Sequence, residues 1–216
     1  MSTPRAAALA GVVFALLFGA ALILIRLSLS EGAEPGSQWL DGGSHRLRVA
    51  AMLMPFAGIA FLWFIGVIRD GFGAYEDRFF ATVFLGSGLL FLATMFVASG
   101  VGAGLEAMGE HINASAARSD VATFGQMVLL AASKTYALRM ASVFMLSLGT
   151  IWLRTGLMPR PLVYGTYLVA LALMVAAEVS MWLVLAFPAW VLVISVLLLT
   201  RTVGLVPPSA PAPDTI

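Results

Sequence analysis

A chain of 216 residues that is 61% hydrophobic and 11% charged lies far from a soluble domain, which is roughly 45–50% apolar and about 25% charged. The departure, like the mean hydropathy of +0.98, points to a membrane protein. A formal net charge of +1 without a long basic run gives no reason to expect nucleic acid as a partner, and the absence of cysteine excludes disulfides, thiolate catalysis, iron–sulfur clusters and cysteine-ligated zinc.

The first apolar run follows Arg5 and predicts a span over 6–27. It is longer than the roughly 7–15 residues of a signal-peptide core, and no small-x-small cleavage site follows it, so it reads as a retained span. Gly11, Ala15 and Gly19 recur every fourth residue and so share a helix face on which another helix can come close. Residues 28–46, SLSEGAEPGSQWLDGGSHR, are rich in Gly, Ser and acids and read as an aqueous loop.

Span 2 is expected over 47–68, with Pro55 as a kink that a helix bundle tolerates. A short charged hinge follows, from Arg69 to Arg78. Arg69 falls at the C-terminal end of span 2, and Glu76 and Asp77 fall at the N-terminal end of span 3. Each charge there complements the partial charge of its helix end. Arg69, Asp70, Glu76, Asp77 and Arg78 are therefore read as the caps of a tight transmembrane hairpin, and spans 2 and 3 as antiparallel neighbours.

Span 3 is expected over 79–101, and Gly100, Gly102 and Gly104 loosen its far end. The segment 104–120 reads as a loop. The apolar stretch 121–153 is too long for one crossing: it would measure about 50 Å against a hydrocarbon core of about 30 Å. A break near 131–135 is therefore expected, with an interfacial helix over 121–133 leading into span 4 at 135–153. The basic turn 154–161 leads to span 5 at 162–178, and span 6 covers 188–206. The Pro-rich tail 207–216 reads as disordered. Together these elements predict an all-α fold, a polytopic transmembrane helix bundle of six spans in a single domain over 1–206.

Orientation is not decided by charge count. With the N-terminus inside, Arg5, Arg69, Arg78, Arg154, Arg160 and Arg201 face inwards, and Arg26, Arg46, Arg48, Arg118, Lys134 and Arg139 face outwards. The compact connections 69–78 and 154–161 and the longer acidic loops 28–46 and 104–120 favour cytoplasmic termini and a plasma-membrane location.

An ionisable group within a span is a candidate functional residue. Arg139 and Glu178 interrupt apolar segments and are expected near the outer ends of adjacent spans, where they could pair. Lys134, the single lysine, and Arg26 could join them in one intramembrane polar site. His45 and His111 fall in loops near Asp41, Glu106 and Glu110, but without HExxH or HxxxH spacing they read as solvated side chains rather than metal ligands. Ser87 lies mid-span without a histidine partner. Asp70 and Gly71 match only a fragment of the CDP-alcohol transferase pattern, and no GxG run here has the strand and lysine of a phosphate loop. No catalytic set, metal site or cofactor is expected.

Three runs, FLWFIGVIRDGFGAYEDRFFATVFLGSGLLF over 61–91, YALRMASVFMLSLGTIWLR over 136–154 and FPAWVLVIS over 187–195, resemble a family of multi-span membrane proteins common in actinobacteria. The resemblance implies a helical membrane fold. The family carries no established activity, so no catalytic or binding residue transfers from it. The functional expectation is a non-enzymatic accessory or scaffold component, in contact with the lipid bilayer and with a second copy or a membrane partner protein. The alternatives are a small-solute or ion transporter or channel built around Arg139 and Glu178, and a membrane enzyme acting on lipid head groups through Asp70, Glu76 and Asp77.

Overall fold

A computed structural model describes residues 3–28, 38–70, 78–111, 115–176 and 181–201. Among the described residues the chain is helical and contains no strand. The α-helices are α1 (Thr3–Ser28), α2 (Gln38–Asp70), α3 (Arg78–His111), α4 (Ser115–Leu130), α5 (Ala137–Thr155), α6 (Arg160–Ala176) and α7 (Ala186–Arg201). A π-helical segment, Ala131–Tyr136, joins α4 to α5, and a 3-10 segment, Met181–Leu185, leads into α7.

Among the described residues, five stretches are long and apolar enough to cross a membrane: Ala8–Ser28, His45–Asp70, Arg78–Ala107, Asp120–Thr155 and Trp182–Thr200. The shorter apolar helix α6 has 17 residues, at the lower limit of about 17–25 for a crossing. The chain is a multi-pass helical membrane protein. Its outer surface is apolar, as lipid requires: Trp63, Phe124, Leu168 and Val175 are all exposed.

The helices run past their expected ends. Residues 38–46 and 104–111, both read as loop, continue α2 and α3. Packing overrides the weak helix propensity of glycine here. At Gly125 of α4 a side chain would meet Leu105 at 2.5 Å, and at Gly102 of α3 it would meet Leu129 at 3.3 Å. The same contacts place residues 121–130, where an interfacial helix was expected over 121–133, in α4. The chain stays helical from 115 to 155, and α4 lies antiparallel against the C-terminal part of α3. At the site of the expected break the backbone forms the π segment instead, with the Ala137 N–H bonded to the Ala132 carbonyl.

Helix α5 ends at Gly156, whose φ of 67° is left-handed and whose N–H reaches the Trp152 carbonyl at 2.9 Å. Only glycine takes that conformation without strain. It turns the chain sharply into α6.

The centre of the bundle is aromatic. Phe14 of α1, Phe61 of α2, Phe91 of α3, Phe144 of α5 and Phe187 of α7 are all buried. Phe61 touches the other four rings at centroid distances of 4.6 to 5.9 Å, and Phe187 touches the other four at 4.7 to 6.0 Å. Trp190 continues the stack towards Trp152. Lipid tails are as apolar as these side chains, so the bundle is held by close packing rather than by exclusion of water.

Glycines allow that packing where helices cross. A side chain at Gly11 would overlap Ser195 Oγ and Phe64, and one at Gly88 would come within 2.8 Å of Ile65. Of the small-residue face predicted on α1, Gly11 and Ala15 are buried, whereas a side chain at Gly19 would meet nothing within 4 Å.

Candidate functional site

Most buried hydroxyl groups are spent on their own helix. Ser133, Ser142, Thr166 and Ser195 each donate to the carbonyl four residues earlier at 2.7 to 2.9 Å. Ser87 donates to Val83 and Phe84 carbonyls at 2.6 and 3.1 Å. Such back-bonding satisfies a hydroxyl in lipid and leaves it without a base to activate it.

A second polar element joins the last three helices. Trp190 Nε1 donates to Thr166 Oγ1 at 3.0 Å, and Thr150 Oγ1 and Tyr167 Oη lie 2.9 Å apart. These bonds tie α6 to α7 and to α5.

Charges gather at the two ends of the bundle. At one end the Arg154 guanidinium sits 4.7 Å over the Phe80 ring, near the exposed Arg69 and Arg78 at the ends of α2 and α3. At the other end Arg46 Nη1 donates to the Leu27 carbonyl at 3.2 Å, joining α2 to α1. Two residues on, and so on the other side of α2, Arg48 Nη2 pairs with Glu106 Oε1 of α3 at 2.5 Å, the arginine side chain 47% and the glutamate 9% exposed. Arg26, 3% exposed, lies at the same end of α1. Arg48 and Arg69 are 21 residues apart on α2, about 31 Å and so one hydrocarbon thickness.

The register fixes the depth of the predicted polar residues. Helix α3 faces the 115–155 helix through Leu105–Gly125, Gly88–Phe144 and Phe80–Arg154. Arg139 lies midway between Gly125 and Arg154, level with about Leu92. It is exposed on the bundle surface, level with about the middle of α3. Lys134 is half-buried in the π segment, level with about Val97. Arg26 belongs to the separate cluster with Arg46 and Arg48. Glu178 lies outside the described residues, as do Glu76, Asp77 and the tail 207–216, so the expected Arg139–Glu178 pair falls outside them too. Of the hairpin caps, Arg69, Asp70 and Arg78 are exposed at the helix ends. Among the described residues no three His, Asp or Glu side chains come together.

The Arg48–Glu106 pair was not foreseen. The hairpin places both residues at its open end, but their pairing depends on a register that no sequence pattern specifies. Comparison with family models, with curated proteins and with solved structures finds no match.

Proposed function

We propose that this chain is a non-enzymatic accessory or scaffold component of the plasma membrane, with both termini cytoplasmic, that works by packing against a membrane partner or a second copy. One observation carries the reading: the centre where five helices meet is filled by Phe14, Phe61, Phe91, Phe144 and Phe187. A transporter needs a polar cavity that reaches mid-membrane, and these interlocked rings occupy the place where it would run. The back-bonded hydroxyls argue the same way against hydrolytic chemistry in the interior. The likeness of 61–91, 136–154 and 187–195 to an actinobacterial membrane-protein family fits a helical component of this kind.

Crosslinking in native membranes, followed by mild solubilisation and mass determination, tests the reading. A stoichiometric complex with a membrane protein or with itself is the expected result. A chain that stays monomeric and uncrosslinked would refute it.

A second reading, a transporter or channel, draws on Arg139 alone. A cation at mid-depth is expensive in lipid, and a site for an anionic solute would account for it. Uptake of a solute into proteoliposomes that is abolished by Arg139→Ala would establish this reading over the first.

A further inference from the structure

On the outer surface a groove runs between α2 and α3, lined by Ala51, Met54 and Pro55 on one side and Phe96, Ser99 and Gly100 on the other. Two polar groups lie along it. Ser99 is 9% exposed, and its hydroxyl makes none of the back-bonds that occupy the serines described above. Pro55, lacking an N–H, cannot give the Ala51 carbonyl its usual helical donor. One group is a donor, the other an acceptor, and in lipid each needs a partner.

The two groups lie at one depth. The Arg48–Glu106 pair, with Gly58 against Phe96 and Gly88 against Ile65, fixes the register of these antiparallel helices. Counted inwards from that pair, Pro55 and Ser99 are each seven residues away, about 10 Å. The Ala51 carbonyl points along α2 towards Pro55 and so reaches the same turn. Two copies inserted the same way are related by a twofold axis along the membrane normal, which keeps every group at its own depth. The Ser99 hydroxyl of one copy then meets the Ala51 carbonyl of the other, and symmetry repeats the bond. Lipid tails offer neither a donor nor an acceptor at this level.

The face beside the groove allows so close an approach. Gly100 and Gly104 are four residues apart and exposed, and a side chain at either would meet nothing within 4 Å. At Gly102 and Gly125, by contrast, the space is taken by Leu129 and Leu105 of the same chain. Packing within one copy therefore explains Gly102 and Gly125 but not Gly100 and Gly104, and small residues on an open face are what a second helix needs.

The geometry points to a parallel, twofold-symmetric dimer across this groove. Helix α2 of each copy crosses Gly100 and Gly104 of the other, and in two reciprocal bonds Ser99 Oγ donates to the Ala51 carbonyl. This dimer rests on the packing role proposed above and identifies the partner as a second copy.

Subunit counting by single-molecule photobleaching of the full chain in liposomes, over a range of dilutions, tests this. The unaltered chain is expected to be dimeric. Ser99→Ala removes the donor of both bonds and should weaken the dimer about sevenfold, taking each bond at its average strength inside membranes. Pro55→Ala supplies an N–H to the Ala51 carbonyl and should weaken the dimer by a similar factor. Gly100→Leu fills the approach and should abolish it. Ser142→Ala, at a buried serine bonded to its own helix, and Gly19→Leu, at an open position on α1, should leave it unchanged. A dimer as tight in Ser99→Ala as in the unaltered chain would overturn the proposal, and this removal of one hydroxyl decides the matter if Gly100→Leu fails to fold. A chain that is monomeric alone but crosslinks in native membranes to a different protein would also overturn the dimer and leave the packing role standing. A monomer that crosslinks to nothing would refute both.

Discussion

The rings of Phe61 and Phe187 lie 5.9 Å apart at an interplanar angle of 75°, and both touch Phe14, Phe91 and Phe144. Either ring alone spans the centre of the bundle. Truncating either to alanine should cost about 2–4 kcal/mol, somewhat below a soluble core because lipid refunds no water-transfer term. The double variant should lose less than the two single losses added, since both rings share the same cavity. Reversible unfolding in mixed micelles measures all three.

The Trp190–Thr166 bond predicts a smaller and asymmetric effect. Thr166→Val strands the buried indole N–H and should cost about 1–3 kcal/mol. Trp190→Phe leaves Thr166 still bonded to Leu162, so it loses only the bond and some packing. The same unfolding assay, run as a double-mutant cycle, separates the two.

Gly11 and Gly19 share a face of α1 but not a role. Gly11→Ala drives a methyl group into Ser195 and Phe64 and should destabilise the fold by about 1–3 kcal/mol. Gly19→Ala meets open space and should stabilise it by about 0.5–1 kcal/mol through helix propensity. Opposite signs in the melting shift are the expected result.

Breaking the Arg48–Glu106 pair should cost about 1–3 kcal/mol in Arg48→Ala, less than for a fully buried pair because the arginine is half in solvent. Adding Glu106→Gln should restore part of that loss, since the remaining cost is a buried unpaired carboxylate.

The natural absence of cysteine makes the chain its own background for accessibility mapping. Arg46→Cys should react rapidly with a membrane-impermeant maleimide added from one side. Arg139→Cys, at mid-depth, should react at least about tenfold more slowly, because the reactive thiolate does not form in lipid. Comparable rates at the two positions would contradict the register of α3 against α5.

The sequence made the helical membrane class legible because lipid imposes a compositional rule that needs no partner. Apolar runs announced α1, the lower part of α2, α5 and α7. The ends of α2 and α3 were misread because the glycines there, taken alone, suggest a loop. At the end of α3 the neighbours Leu105, Gly125 and Leu129 reveal a helix contact. Arg139 was recognised as an unusual residue, but its depth depends on how far α4 slides along α3, which no local pattern records. Arg48 and Glu106 sit 58 positions apart and met only through the hairpin register set by Phe61 and Phe91.

The π segment Ala131–Tyr136 has an effect that is a matter of angle rather than of bonding. Gly125 and Phe144 are 19 residues apart, so at about 100° per residue a regular α-helix would point them about 100° away from each other. Absorbing one residue in a wider turn brings them back into phase, and both face α3 against Leu105 and Gly88. The two halves of this long helix therefore tolerate loss of one residue better than gain of one. A deletion within 131–136 relaxes the turn to ordinary pitch with both contacts still aligned, whereas an insertion swings one half of the helix away from its partner.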